Sequence, residues 1–409
     1  MSTLSGQSID TTYQGLIKTT DNAAITGTLK ALEDGAGNTL PIEVSSTGVN
    51  FTGTVTGIPG GAPGLVASTG VTDSMQSASF LTSTAPTVLS DQSIALGWNA
   101  RVVAVSNQST AIGWNTTANG AQTTAVGSGC GAYGSRAVAV GQSVDASNFG
   151  AVAIGNSSQA QGESSIVIGG FVSLASGNFS IAMGRETKAT AADTIAMGRL
   201  TNVNSAGAVA IGQGAGQLTV TATNNWASVA LGQNAKFNAN GCVALGGATD
   251  ALGTGSIAIG DGTQASNSSI SIGALSNASG TNSICIGQSG IADGTNAVFI
   301  GKAGQASDFS VGIGDGSVSI GGGTAVGASS RSTGDNAVAL GRSTDAQANG
   351  SVALGYNVTA TTVDTVTLKK LQMLDYATLE YANDTAAAAG GIPLGGVYHT
   401  SGALKIRIA

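Results

Sequence analysis

The stretch that decides the fold is Val243-Ala244-Leu245-Gly246, one of nineteen copies of a four-residue motif between Gly97 and Gly355. Twelve of the eighteen intervals between successive motif glycines are 14 residues long, and four of the other six are 13 or 15. A short period sustained over so many residues is typical of a solenoid, in which each coil buries apolar side chains against its neighbours. The sequence therefore predicts about 19 coils of about 14 residues each, within residues 91–362.

Positions within a coil are numbered here from its motif glycine. Position −1 is Leu, Ile, Val or Met in all nineteen copies, position −3 is Ile or Val in sixteen and Thr in three, and position −2 is usually Ala. This alternation predicts a short β-strand with positions −3 and −1 on one face and position −2 on the other. Position −2 holds few large side chains, Val167 and Phe299 among them. We therefore expect the −2 column to approach a neighbouring surface closely rather than to face water. This expectation agrees with contact between chains.

The segment after the motif glycine has a different character. It is polar at +1, and glycine recurs at +7 in several coils. We expect each coil to contain two short strands and two tight turns, with the glycines supplying turn conformations that other residues avoid.

The composition limits the classes of function. Of 409 residues, 63 are Gly, 42% are hydrophobic and only 9% are charged, and the net charge is −7. Such a chain has enough apolar surface to fold, and its scarcity of charge suggests that one flank is buried against other chains. An acidic chain without a basic patch is not expected to bind nucleic acid or anionic membranes. The sequence lacks a bilayer-length apolar run and begins without a signal-peptide pattern, so neither membrane insertion nor export through a signal is expected.

Few residues are suited to catalysis or to metal binding. Cys130, Cys242 and Cys285 occupy different phases of the coil and are expected to be buried free thiols. His399 is the only histidine, which excludes a zinc cluster of histidines, and we expect it to be a surface residue rather than a member of a catalytic triad. The chain is predicted to have no catalytic residue, metal or cofactor and not to be an enzyme, although a glycosidase pair of scattered carboxylates stays open.

The repeat consensus, S-[VI]-A-[IL]-G-x-x-[ST]-x-A-x-G, is met directly by residues 256–260 and 351–355. It resembles the head repeats of YadA-like trimeric adhesins, and the resemblance covers residues 91–362. It implies an all-β chain that folds as a left-handed parallel β-roll, and a homotrimer with three chains side by side around a threefold axis. The resemblance is specific for the fold and says little about the ligand.

The two ends lie outside the repeat. Residues 1–58 are predicted to form an N-terminal β module, with strands at 12–17, 40–44 and 46–55, and residues 59–90 a linker and roll cap. Residues 363–409 are predicted to form a neck and a terminal β-hairpin that turns at Ser401 and Gly402. Both ends resemble segments of bacteriophage fibre and appendage proteins, the second through the pattern G-G-x-Y-x-x-x-G-x-L-K-I-R-[ILV]-A.

Together these features predict a structural trimeric fibre of a tailed-phage virion. The N-terminal module would contact capsid or tail proteins, the roll would be a rigid spacer, and the fibre would bind a host surface receptor, for which a glycan is the candidate. One alternative is a passenger fragment of a bacterial trimeric adhesin. Another is an enzymatic tailspike that acts on host polysaccharide.

Two departures from the repeat supply candidate receptor contacts. Trp98, Trp114 and Tyr356 occupy the same turn position, each followed by Asn. They favour either sugar binding or capping of the open edges of the roll. The interval from Gly212 to Gly232 is 20 residues, so about six extra residues form either a receptor-binding loop or a tolerated bulge. The candidate contacts are Trp98, Trp114, Asn224, Asn225, Trp226 and Tyr356.

Overall fold

The computed structural model describes residues 17–21, 23–34, 37–51, 65–67, 75–77, 87–103, 106–217, 226–370, 372 and 376–408. The chain divides into two compact units, Met1–Gly155 and Asn156–Ala409. Each unit contains a parallel β-solenoid, and the chain has about 19 turns in all. The prediction of an all-β solenoid is confirmed.

Each coil contributes one strand to each of two parallel sheets. The long sheet consists of the strands that contain positions −3 to −1, and the short sheet consists of the two-residue strands near positions +4 and +5. Pairing joins equivalent positions of successive coils: Val243–Leu245 pairs residue for residue with Ile257–Ile259, and Asp250–Ala251 pairs with Gln264–Ala265. A repeat of nearly constant length therefore maps directly onto a constant register.

The strand bounds follow the repeat. In the first unit the N-terminal antiparallel sheet is Lys18–Thr19, Lys30–Glu33, Thr39–Ser45 and Gly48–Phe51. The long sheet there comprises Leu65–Ala67, Met75–Ser77, Ile94–Leu96, Thr110–Trp114, Thr124–Ser128, Val138–Gln142 and Val152–Asn156. The short sheet comprises Thr87–Val88, Arg101–Val102, Thr117–Ala118, Gly131–Ala132 and Asp145–Ala146.

The second unit continues the same alternation. Its long-sheet strands are Ile166–Gly170, Ile181–Arg185, Ile195–Met197, Val209–Ile211, Val229–Leu231, Val243–Leu245, Ile257–Ile259, Ile270–Ile272, Ile284–Ile286, Val298–Ile300, Val311–Ile313, Thr324–Val326, Val338–Leu340, Val352–Leu354 and Val366–Leu368. Its short-sheet strands are Gln159–Ala160, Leu174–Ala175, Lys188–Ala189, Asn202–Val203, Gly216–Gln217, Lys236–Phe237, Asp250–Ala251, Gln264–Ala265, Asn277–Ala278, Ile291–Ala292, Gln305–Ala306, Val318–Ser319, Arg331–Ser332, Asp345–Ala346 and Thr359–Ala360.

The C-terminal segment contains the only helices of the described residues. A 3-10 helix spans Tyr376–Leu379 and an α-helix spans Asp384–Ala389, whose N-terminus is capped by the side chain of Asn383. Val397–Thr400 and Ala403–Ile406 then form the predicted antiparallel hairpin. At the other end of the chain, residues 12–16 of the strand predicted at 12–17 and residues 52–55 of the strand predicted at 46–55 lie outside the described residues.

The interior of each coil is narrow and lined by small side chains. Ala258 at position −2 and Ala265 at position +5 are both fully buried, one on each sheet. The expected close approach of the −2 column to a neighbouring surface is confirmed, and that surface is the short sheet of the same chain rather than another chain. Ile257 and Ile259, at positions −3 and −1, point the other way and stay half-buried on the outside.

The motif glycine is required by the stacking of the coils. Gly260 has φ +135°, and a Cβ there would lie 2.6 Å from the carbonyl oxygen of Gly273 in the next coil. Glycine at +7 has a different reason: Gly162 is not in a left-handed conformation, but its Cβ would lie 1.9 Å from the carbonyl oxygen of Gly177. The second glycine column therefore allows backbones to approach rather than supplying a turn conformation.

In several coils of the second unit, the Ser or Thr at position +3 donates to a carbonyl group of the following coil. The hydroxyl of Ser158 donates to the carbonyl oxygen of Gly169 at 3.0 Å, and that of Thr201 donates to Gly212 at 2.7 Å. Because these carbonyls lie beside a strand end, they need partners other than the sheet. The hydroxyl in the repeat consensus is thus a link between coils.

Candidate functional site

The two tryptophans predicted to share a turn position form a stacked pair. The ring centroids of Trp98 and Trp114 are 5.2 Å apart, and the ring planes differ by 8°. Trp98 is 43% exposed and Trp114 is 54% exposed. Beside the rings, the side-chain amide of Asn99 donates to Oδ1 of Asn115 at 2.6 Å. The pair is therefore an exposed aromatic surface with an amide border.

The backbone of the turn directs these tryptophans outward. Asn99 and Asn115 have φ of 53° and 54°, in the left-handed region that Asn tolerates better than most residues. The preceding motif glycines, Gly97 and Gly113, also have positive φ. The tryptophan lies between these two special conformations, and the constant register places equivalent residues one above the other.

The structure bears on the proposed role of this pair as an edge cap. Ile94–Leu96, the strand just before Trp98, already pairs with Met75–Ser77, and Arg101–Val102, just after it, pairs with Thr87–Val88. Both sheets therefore continue beyond the coil of Trp98. This coil is not an open edge, and edge capping does not explain its aromatic residue.

Tyr356 occupies the same turn position in the second unit but has different surroundings. Cζ of Arg342 lies 5.5 Å from the ring centroid, and Nζ of Lys369 lies 5.8 Å from it. One cation comes from the preceding coil and the other follows the next strand. Tyr356 is 62% exposed, yet its ring is engaged by these cation–π contacts.

The predicted receptor loop is described only at its end. Trp226 is 63% exposed, and its backbone N–H donates to Oδ1 of Asn240 in the next coil at 2.9 Å. Asn224 and Asn225 lie outside the described residues. The structure thus brings Trp98 and Trp114 together, whereas Trp226 and Tyr356 stand on different coils of the second unit.

An exposed cluster around Phe171 was not predicted from the sequence. Phe171 is 61% exposed, and Cζ of Arg185 lies 4.8 Å from its ring centroid, while Nε of Arg185 pairs with Glu186 at 2.9 Å. Val172 has φ +61°, which is strained for a β-branched residue. The available signal was the 15-residue interval between Gly169 and Gly184, whose extra residue enlarges this turn.

The outer face of the long sheet is an extended, mainly aliphatic surface in each unit. Position −3 is half-buried in every coil up to Val352, and position −1 is half-buried or exposed. In the second unit the exposed members of the −1 column have exposed fractions between 37% and 41%: Ile168, Ile211, Leu231, Ile286, Ile300, Ile313, Leu340, Leu354 and Leu368. Two adjacent columns of mainly aliphatic side chains therefore follow the sheet, and no element of the described residues covers them.

The residues considered for catalysis are mostly buried. The expectation that His399 is a surface residue is wrong: it is 5% exposed, its Nε2 lies 2.7 Å from the carbonyl oxygen of Tyr376, and its ring stacks on that of Tyr376. The three cysteines are free and buried, as predicted. Burial raises the pKa of Cys285 to about 11 and makes its thiol a poor nucleophile.

The described part of the chain contains no group of three His, Cys, Asp or Glu side chains arranged to hold a metal ion. None of its helices is long and apolar enough to cross a membrane.

The repeat matches a known family model. Nine segments match the YadA head domain repeat, whose model holds two copies: 104–129, 146–171, 175–201, 189–215, 238–263, 251–269, 266–289, 322–344 and 332–357. The solenoid carries YadA head repeats. These repeats fall in both units and include the coils whose −3 and −1 columns face outward. No curated protein matches the chain in sequence.

Proposed function

We propose that the chain forms a homotrimeric attachment fibre in which the YadA head repeats are a stiff spacer. The observation that carries this proposal is the uncovered aliphatic face of the long sheet. In the second unit it extends over fourteen motif coils, about 65 Å at the usual strand spacing of ~4.8 Å. Contiguous apolar patches of this extent mark interaction surfaces rather than surfaces left in water.

The periodicity of that face favours further copies of the same chain as its partner. Sixteen of the nineteen coils present aliphatic side chains at both of these positions, at a regular spacing, so a matching partner needs the same spacing. A parallel copy in register supplies it, and closed rotational symmetry covers the face on each copy equally. Three copies agree with the YadA head repeats, which belong to trimeric adhesins.

The spacer role follows from the pairing within each unit. Successive coils are held by two parallel sheets, and in several coils of the second unit also by the hydroxyls at position +3, so each solenoid resists bending. Regular coils repeat one surface many times, whereas binding a specific receptor at one site requires a local departure from the repeat. We assign receptor binding to such departures and assign no catalytic role to the chain.

For the biological setting we propose the fibre of a tailed-phage virion, attached through the N-terminal module to capsid or tail proteins. The resemblance of both terminal segments to phage fibre proteins supports this setting. A bacterial adhesin passenger fits the repeats equally well, and an enzymatic tailspike is the third candidate. Immunogold electron microscopy with antibodies against residues 226–370 separates the first two, because it labels either phage particles or bacterial envelopes.

The assembly is tested by sedimentation of the purified chain. We expect a mass three times that of the 39.5 kDa chain. Ile272→Asp places a charge in the outer aliphatic face and should dissociate the assembly, whereas Gln213→Asp adds the same charge on an exposed turn and should not. A monomeric wild type, or an intact trimer in Ile272→Asp, would contradict the assigned interface.

A further inference from the structure

The stacked tryptophan pair leaves one ring face open. Trp98 lies against one face of Trp114, yet 54% of Trp114 remains exposed. In the next coil the register partner of Trp114 is Ser128, and Gly129 follows it. The coil that faces the second side of the Trp114 ring therefore offers only a hydroxymethyl group and a residue without a side chain.

The border of this open face is polar and uncharged. Asn99 and Asn115 lie beside the rings and are joined by their side-chain amides. The three successive turns at 98–99, 114–115 and 128–129 contain Trp, Asn, Trp, Asn, Ser and Gly, none of which has an ionisable side chain. A ligand for this surface needs an apolar face for stacking and hydroxyl groups at its rim, and it needs no charge.

We infer that Trp114, backed by Trp98, is a stacking platform for the ring of a neutral β-hexopyranoside. Such a ring presents axial C–H groups on one face, which pack on an indole, and hydroxyls at its edge, which exchange hydrogen bonds with amides. This inference deepens the proposed attachment function, on which it rests, by naming the class of receptor. Three copies in a trimer would add avidity to a weak single site.

The chain supplies its own control at the same turn position. Tyr356 is as exposed as the tryptophans, but Arg342 and Lys369 lie over its ring. A sugar would have to displace a cation to stack there. The platform therefore depends on an uncovered ring face rather than on an exposed aromatic residue alone.

The binding test uses full-length protein carrying Trp226→Phe, so that Trp98 and Trp114 alone report by fluorescence. Methyl β-D-glucopyranoside, methyl β-D-galactopyranoside, lactose and cellobiose are titrated, and saturation-transfer NMR identifies the sugar protons in contact. We expect a saturable change for at least one sugar, with strongest transfer to the axial C–H protons. Trp114→Ala should weaken binding at least about ten-fold, and Tyr356→Ala should leave it unchanged.

A second variant tests the site without removing the tryptophan. Ser128→Arg places a guanidinium over the open face of Trp114, as Arg342 covers Tyr356, and should abolish binding while the trimer and its melting temperature are kept. The inference is overturned if none of the four sugars binds, if Ser128→Arg or Trp114→Ala binds as the parent does, or if Tyr356→Ala weakens binding equally. Sedimentation and adsorption to host cells are measured separately. Sugar binding by a chain that neither trimerises nor adsorbs would contradict the proposed function alone.

Discussion

The ring of Phe299 occupies the space that a side chain on Gly290 would need. A Cβ on Gly290 would lie 2.4 Å from Cε1 of Phe299, and a Cβ on Gly304 would lie 2.5 Å from Cε2. Phe299 is the only aromatic residue at position −2 and is fully buried. Glycine stands at position +3 in the coil of Phe299 and in the coil before it, where most coils have a larger residue. The interior of these coils therefore has a nearly fixed volume, which one aromatic ring fills only because two side chains are missing.

Phe299→Ala should lower the free energy of unfolding by about 3–5 kcal/mol, because the narrow sheets cannot collapse around the cavity. Gly290→Ser in the wild type should also destabilise it, by about 1–3 kcal/mol through overpacking. In the Phe299→Ala background the same serine should restore part of the lost stability, because the contact at Gly290 is with the Phe299 ring. Denaturant unfolding of the four variants measures this, and simple additivity would contradict the shared-volume explanation.

Gly260→Ala should destabilise the roll by about 3 kcal/mol, since its Cβ meets backbone of the next coil at a φ that only glycine adopts readily. Gly255→Ala is the matched control. It also has positive φ, at 68°, but nothing lies within 4 Å of its Cβ. The control should cost about 1 kcal/mol, for the left-handed conformation alone. Equal losses in thermal unfolding would mean that coil stacking does not select the motif glycine.

The sequence predicts the coils, but the alternation alone does not predict which face of each strand is buried. Period and alternation give strands, turns and register, because every coil repeats the same constraints. Alternation separates Ala258 from Ile257 and Ile259 but does not say which side is inside. The answer depends on the distance between the two sheets, which is a tertiary property. The stacking of Trp98 on Trp114 followed from register, whereas the open face beside Ser128 and the burial of His399 required coordinates.

Asp145→Asn should stabilise the first unit at pH 7 and have little effect at pH 3. Burial raises the pKa of Asp145 above its ordinary 3.8, so the folded state favours the neutral acid. Its stabilising contribution is complete below the ordinary pKa and is lost as the pH rises through the raised value. Melting temperatures at both pH values test this. Asp261→Asn, on an exposed turn, is the control and should behave alike at both.

The three native thiols should not react with Ellman's reagent at pH 8 until the protein unfolds. Cys130, Cys242 and Cys285 are buried, and burial raises the pKa of Cys130 and Cys285. Ser143→Cys introduces a thiol on an exposed turn and should react at once, which shows that the reagent is active. Rapid modification of a native thiol in the folded wild type would contradict the burial of that cysteine side chain.

The residue-for-residue pairing of successive coils has a consequence for how such a chain changes during evolution. Removing residues 247–260 would join Gly246 to Asp261. The strand Val243–Leu245 would lose its partner Ile257–Ile259 but could pair with the equivalent strand Ile270–Ile272 of the next coil. Unequal recombination between repeats can therefore lengthen or shorten the second unit in increments of about 4.8 Å without disturbing the hairpin that ends it. For the proposed attachment fibre, a change of length to suit host surface layers of different thickness would therefore be easier than a change of receptor-binding residues.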